Sequence, residues 1–396
     1  MPYAPFHPPQ RTLLGPGPSD VSPRILEAMA RPTVGHLDPS FVGLMDEIKA
    51  LLQYAFRTEN RLTIPVSGPG TAGMETCVVN LIEPGDTAVV CINGVFGGRL
   101  QAMAERCGAT VVPVEAPWGR AVDPAKLDQT LAQHPAAKVV AFVHAETSTG
   151  VLSDAEALAR VAQEHGCLTL VDAVTSLGGS PLEVDAWGLD AVYSGSQKCL
   201  SCTPGLSPVT FSQRAVEAVE QRTAPVQSWF MDVTQVMRYW GEGKRAYHHT
   251  APINPLYGLH EALLILHEEG VEAAWARHRR HHEALKTGLA VLKLELIVPE
   301  AERTPQLNAV AVPDGLDEAA VRRRLLEEHH LEIGAGLGAF AGEVWRIGLM
   351  GHSSRPENVI RCIEALGSAL MDEGVDVDPG EAVARTEEVL SVERDG

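Results

Sequence analysis

Between positions 61 and 211 this chain repeats one pattern: a short apolar or β-branched run, a stretch of helical spacing, then another run. The runs fall at 61–67, 87–92, 110–114, 138–144, 168–172, 191–194 and 207–211, and the segments 74–82, 98–107 and 154–166 carry helical spacing. Strands that alternate with helices predict a mostly parallel sheet covered by helices on both faces. A sheet of that kind binds its ligands at the carboxyl ends of its strands, where loops and helix N-termini converge. Residues at those ends are therefore the first candidates for chemistry.

Beyond about Gly270 the texture changes. Charged helical segments at 271–292 and 317–330 surround shorter apolar runs at 307–312 and 344–347. The expected organisation is an N-terminal arm (1–20), a large α/β domain (21–270) and a smaller C-terminal α+β domain (271–396) with which the arm packs. A formal net charge of −19 leaves no phosphate-neutralising stripe, which argues against nucleic acid and anionic membranes as partners. No apolar run reaches the ~18 residues of a membrane span. The seven dispersed cysteines read as free thiols in a reducing compartment, and the opening Met1-Pro-Tyr-Ala-Pro-Phe lacks a leader pattern, so a cytoplasmic protein is expected.

Two strand ends carry the strongest signal. Asp172 closes the apolar run 168–172, and Lys198 closes Tyr193-Ser-Gly-Ser-Gln-Lys, about one strand–helix–strand unit downstream. An amine that condenses with an aldehyde, beside a carboxylate that keeps a pyridine nitrogen protonated, is what a pyridoxal phosphate (PLP) enzyme needs. The loop Ser67-Gly-Pro-Gly-Thr-Ala-Gly follows a strand, opens a helix and fits G-x-G-x-x-G, which raises an NAD-dependent dehydrogenase as a rival. That fingerprint requires an acidic residue at the end of the next strand. Here the next strand ends in Asn93-Gly94, and Asp86 precedes it at the wrong end. The glycine loop therefore reads as a site for a single cofactor phosphate, with a purely structural tight turn as the alternative.

Other features are less specific. Phe96 follows a strand end and is either a ring that stacks on a planar cofactor or a core residue. Thr147 either caps the next helix or donates to a cofactor oxygen. Cys199-Leu-Ser-Cys202 lacks the second ligand pair of a zinc site, and Arg277-His-Arg-Arg-His-His reads as a solvated charged helix face, so no metal is expected.

The chain resembles the class V, fold-type-I PLP aminotransferases, within them the alanine–glyoxylate branch. The resemblance runs from Leu14 to about Ala369. It is carried by Leu14-Gly-Pro-Gly-Pro-Ser, Glu83-Pro-Gly-Asp, Glu146-Thr-Ser-Thr-Gly-Val, Tyr193-Ser-Gly-Ser-Gln-Lys, Tyr247-His-His-Thr, Gly336-Leu-Gly and Arg346-Ile-Gly-Leu-Met-Gly. It implies that Lys198 is the Schiff-base lysine and Asp172 the pyridine-nitrogen partner. Phe96 would stack on the cofactor ring, and Thr147 would lie near its phenolic oxygen. Gly70, Thr71 and Gln197 would hold the phosphate, which Tyr247 and Thr250 would reach from the partner subunit of a homodimer with composite sites. Arg346 would bind the substrate α-carboxylate, and His248 and His249 would be structural or pocket-lining.

Two positions depart from the family pattern. Phe96 stands where relatives often carry Trp, so the indole N–H is lost. Pro69 replaces a small hydroxyl residue and cannot donate a backbone N–H. The implied activity is ping-pong transfer of an amino group from alanine or serine to glyoxylate, so the partners are small amino acids and 2-oxo acids. Ureidoglycine–glyoxylate and other small 2-oxo acid aminotransferases are the alternatives within the family. A non-catalytic PLP carrier is a rival of another class.

Overall fold

The computed structural model describes residues 3–241 and 245–391. Its strands, in chain order, are β1 (Thr12–Leu13), β2 (Leu62–Ser67), β3 (Thr87–Ile92), β4 (Thr110–Glu115), β5 (Ala137–Val143), β6 (Ala145–Glu146), β7 (Val151–Leu152), β8 (Leu168–Asp172), β9 (Ala191–Tyr193) and β10 (Leu206–Phe211). The last third adds β11 (Leu307–Ala311), β12 (Leu331–Glu332), β13 (Gly334–Ala335) and β14 (Val344–Gly348). Seven of them form the central sheet in the order β2-β10-β9-β8-β5-β3-β4. The ladder is parallel from β9 through β8, β5 and β3 to β4, as the alternation of strands and helices predicts. Every residue of β8 is buried, so both faces of the sheet are covered there.

One strand departs from the parallel pattern. β10 runs antiparallel to both β9 and β2. The connection from β9 carries Lys198 and contains no helix. A parallel return needs a crossover of a dozen or more residues, usually helical, and a loop can deliver only an antiparallel neighbour.

The helices that matter for the site begin where strands end. The first two are α1 (Pro23–Met29) and α2 (Pro39–Phe56), the latter opened by Asp38, whose carboxylate accepts from Ser40 N at 2.8 Å. Next, α3 (Gly70–Leu81) leaves β2, and α4 (Val95–Arg106) leaves β3. The α3 helix starts four residues earlier than its hydrophobic spacing suggests, because the glycine loop is itself the first helical turn.

Two apolar cores are present. The larger runs from Ile25 to Ala274 around the central sheet; the smaller joins Leu14 to residues from Ala284 to Ala382. The smaller is roofed by an antiparallel sheet, β11-β14-β13. The arm is sewn to it: Thr12 and Leu13 pair in parallel with Leu331 and Glu332, and Gly348 N donates to Leu14 O at 2.8 Å. Gly348 has to be glycine, since a Cβ there would collide with the Gly15 carbonyl oxygen. The arm then turns at Gly17 (φ 100°), where a Cβ would run into the Lys198 side chain.

The helix Val271–Val291 spans both cores, and here the expectation of a solvated charged face is corrected. His278, His281 and His282 are buried, because this helix is inserted between the cores rather than laid on the surface. His278 accepts from Gly351 N at 2.9 Å through Nε2 and donates to Ala274 O through Nδ1 at 2.6 Å, so the ring is neutral. Among the described residues no helix is long and apolar enough to cross a membrane, and no His, Cys, Asp and Glu cluster could hold a metal ion.

Candidate active site

A cavity of about 170 Å³ opens at the carboxyl ends of the central strands. Gly70 and Thr71 enter it from the first turn of α3, Phe96 and Arg99 from α4, Thr147 from the turn between β6 and β7, Asp172 from the end of β8, and Gln197 and Lys198 from the loop after β9. Seven residues predicted from the sequence thus meet in one space. A larger crevice of about 320 Å³ lies behind Cys199, between Glu269, Arg277 and Arg355, and has no lysine in its wall.

Asp172 is held by two donors: Tyr193 Oη at 2.6 Å and Val174 N at 2.8 Å. Burial pushes its carboxyl up to about 7 despite those bonds, and the nearby Glu146 charge adds to the rise. Tyr193 stands opposite Asp172 in the β8–β9 ladder, and burial with that carboxylate keeps its phenol protonated far above the usual range. Lys198 donates from Nζ to the Pro16 carbonyl of the arm. Burial pulls its ammonium down to about 8, so an appreciable fraction is free amine near neutral pH.

Arg346 sits on β14 and belongs to the other sheet. Its Nε donates to Ala335 O at 2.7 Å and its Nη1 to Thr147 O at 3.1 Å, which ties the small core to the cavity wall. Its positive charge disfavours the Lys198 ammonium. Burial lowers its own guanidinium to about 10, with Glu146 partly restoring it.

The phosphate residues are more divided. The α3 helix has no side-chain cap, and Pro69 occupies its N-cap, so its first-turn amides are uncapped by any side chain. The Gln197 amide faces the cavity with a buried Oε1 that has no protein partner among the described residues. Tyr247 and Thr250, in contrast, do not line their own chain's cavity. Tyr247 is 60% exposed, its hydroxyl lies 3.3 Å from Thr250 Oγ1, and its ring meets His36 edge-on. The segment is anchored beside the glycine loop through His249 Nε2, 2.8 Å from Ser67 Oγ.

Several contributors escaped the sequence reading. Glu146 is fully buried and accepts from Phe96 N (3.1 Å), Gly97 N (3.3 Å) and the Ser148 hydroxyl (2.6 Å). It caps α4 from another loop and so fixes Phe96, and burial raises its carboxyl above the ordinary range. Only its place in the Glu-Thr-Ser-Thr-Gly run hinted at it. Arg99 had a usable signal, since it lies three residues after Phe96 on one helix face. Pro16 had none, because its approach to Lys198 depends on tertiary structure alone.

The donor set fits PLP: a low-pKa amine, a buried carboxylate, a hydroxyl at Thr147, an aromatic ring, an uncapped helix N-terminus and an unmatched amide. Comparison with known proteins points the same way. Residues 23–352 match the family Aminotransferase class-V. The alanine–glyoxylate aminotransferase of Rattus norvegicus is 41% identical over 366 residues, covering 91% of this chain and 88% of the relative. The crystal structure of an alanine–glyoxylate aminotransferase from Nostoc sp. superposes with a TM-score of 0.92 at 48% identity, over 93% of this chain and 98% of that one. The ureidoglycine–glyoxylate aminotransferase of Bacillus subtilis superposes with a TM-score of 0.95 at 37% identity, over 97% and 99%. The chain therefore belongs to the class V aminotransferases, is an aminotransferase of fold type I, and takes pyridoxal 5′-phosphate as its cofactor.

Proposed function

We propose that this chain transfers the amino group of a small amino acid, alanine or serine, to glyoxylate. The observation that carries the reading is the placement of arginines: Arg346 is tied to the cavity wall at Thr147 O, where it would meet an α-carboxylate, whereas Arg99 is engaged at the α3 end of the cavity with Thr71. A donor with a distal carboxylate would bury that charge without a partner, at a cost of several kcal/mol. That the relatives from Rattus norvegicus, Nostoc and Bacillus subtilis are all glyoxylate aminotransferases supports glyoxylate as the acceptor. Ureidoglycine is the competing donor, supported by the Bacillus subtilis relative.

PLP supplies an aldehyde for exchange with amines and a ring that accepts electron density. The residues of this chain supply the rest. Lys198, part-neutral at about 8 and aimed by the Pro16 carbonyl, removes and returns the proton at the substrate α-carbon. Asp172 holds positive charge at the ring nitrogen, and Tyr193 keeps the carboxylate oriented toward it. The Thr147 hydroxyl would serve the phenolic oxygen, and Phe96, whose backbone N–H is held by Glu146, would cover the ring face. Arg346 grips the α-carboxylate with a planar fork and so sets which bond stands across the ring.

The active unit is a homodimer with composite sites. A cavity of about 170 Å³ is below the ~300 Å³ of pockets that enclose a whole ligand, and the exposed Tyr247–Thr250 hydroxyl pair faces outward beside the glycine loop. The seven buried free thiols support a reducing compartment. The test of the function is a donor screen against glyoxylate and pyruvate, followed as loss of the bound-cofactor absorbance and formation of glycine or alanine. Alanine and serine should lead in kcat/KM. A clear preference for aspartate or glutamate would overturn the small-donor reading, and ureidoglycine as the leading donor would favour its competitor.

A further inference from the structure

Arg99 and Phe96 share one face of α4. The Arg99 guanidinium carbon lies 4.9 Å from the Phe96 ring centroid, and Nη1 donates to Thr71 Oγ1 at 3.3 Å. All three residues line the cavity that holds Lys198, and Lys198 and Arg99 are the cations in its wall. Among the described residues no carboxylate lies within ion-pair distance of Arg99, so its charge faces the cavity unneutralised.

That charge stands where a phosphate would be short of it. The cofactor's phosphate carries close to two negative charges near neutral pH. The α3 N-terminus offers it backbone N–H groups, the Thr71 hydroxyl and the Gln197 amide, all neutral, and Pro69 withholds one N–H altogether. Lys198 cannot supply the missing charge, because its amine is committed to the aldehyde at the other end of the ring. We propose that Arg99 is a cofactor-binding residue that neutralises the phosphate at the α3 N-terminus. Its bond to Thr71 serves the same end: a hydroxyl that accepts from Arg99 keeps its own proton for the phosphate. The inference rests on the PLP assignment, and adds to it which side chain of this chain carries the counter-charge.

The competing role for Arg99 is a brace that only holds the Phe96 ring. The two separate when the cofactor loses its phosphate. Full-length wild type, Arg99→Met and Arg99→Lys are freed of cofactor and titrated with PLP and with pyridoxal, which lacks the phosphate, while the absorbance of the Lys198-bound form is followed. Arg99→Met is expected to weaken PLP by about 10-fold or more, as loss of a charge-assisted contact does. It should leave pyridoxal within about 2-fold of wild type, and Arg99→Lys should recover much of the difference. Unchanged pyridoxal binding also shows that the pocket and Lys198 are intact. Equal losses for both ligands would mean that Arg99 only braces Phe96, and undiminished PLP affinity in Arg99→Met would likewise overturn the assignment. A wild-type chain that binds neither ligand at Lys198 would refute the PLP reading itself, and Arg99's role with it.

Discussion

Asp172→Asn separates what the fold tolerates from what the reaction needs. Burial carries this carboxyl from an ordinary 3.8 to about 7, which corresponds to roughly 4 kcal/mol charged against the ionised form when no cation faces it. An amide of the same shape avoids that cost. Tyr193 can still donate to its oxygen, while Val174 N–H loses its acceptor. The sign is fixed by the upward shift: in the cofactor-free wild type the stability associated with the neutral acid is complete below about pH 4 and is lost as pH rises through about 7. The amide variant has no such dependence, so its thermal midpoint without cofactor should match or exceed that of wild type near pH 7. Its rate should fall. A neutral partner leaves the ring nitrogen without the charge that stabilises the developing carbanion, and a loss of about 3 kcal/mol, about 10²-fold in kcat, is expected. The assay pairs pre-steady-state half-reactions with α-deuterated alanine: PLP stays bound, the half-reaction slows, and the isotope effect grows as proton removal becomes the slow step. Turnover within about threefold of wild type would refute the role given to Asp172, and a lowered melting temperature with proportionate loss of rate would make the residue merely structural.

Borohydride reduction and peptide mapping should place the phosphopyridoxyl mass on Lys198, whose amine is lowered by burial; a label on Lys138, which is paired with Asp86 at 2.9 Å, or on Lys244, outside the described residues, would refute the assignment. Burial holds His278 down to about 3 and His281 to about 4, so the stability they contribute is complete above pH 6.5 and is lost as pH falls toward those values. Urea midpoints should therefore drop between pH 6.5 and 4, and His278→Gln should move that drop to lower pH; an unchanged acid limb would mean that the buried histidines do not set it. Lys198→Ala chains refolded with Tyr247→Phe/Thr250→Ala chains should regain about half of wild-type activity per heterodimer if the hydroxyls serve the partner's site, because one site then carries both lesions and the other neither. No rescue would mean that each defect acts in its own chain's site, so that every site keeps one lesion.

Legibility in the sequence followed the range of the interactions. The parallel core could be read because each strand is a local apolar run, and Asp172 and Lys198 because strand ends in such a sheet are functional by geometry. The antiparallel sense of β10 depends on a loop that returns without a helix, and periodicity reports strands, not their direction. Arg346 was reached by resemblance alone, since its bond to the cavity wall at Thr147 O comes from a different sheet brought in by tertiary packing. The histidine run was misjudged because an amphipathic reading assumes water on the polar face. The Val271–Val291 helix meets protein there instead, and its imidazoles are matched to Gly351 N, Ser354 Oγ and Asn308 Oδ1. Glu146 shows the same limit: Ser148 is a local donor, but Phe96 N and Gly97 N lie on α4, about fifty positions away, and nothing in its own run names them.

The two cores divide the chemistry between them. Asp172 closes a strand of the large sheet, Phe96 lies in the first turn of α4 and is tied to Glu146 through its backbone N–H, and Thr147 follows β6, so this end of the cavity is built on the larger core. The groups that face the reacting carbon come partly from elsewhere: Arg346 from the three-stranded sheet, and the Pro16 carbonyl that aims Lys198 from the arm sewn to that sheet. Gly348 ties the last two together, because the arm can pass Arg346's strand only where no Cβ intrudes on the Gly15 carbonyl. Burial acts on both ends in one direction. It draws Lys198 down to about 8 and Asp172 up to about 7, so without a cofactor both titrate close to neutral pH. A cation at a cofactor ring nitrogen would favour the ionised form of Asp172, whereas the lowered Lys198 would give up its proton at only modest cost to act as a base. A buried acid that would charge opposite a ring cation, in one site with an amine that can lose its proton, is the polarity the proposed transamination requires.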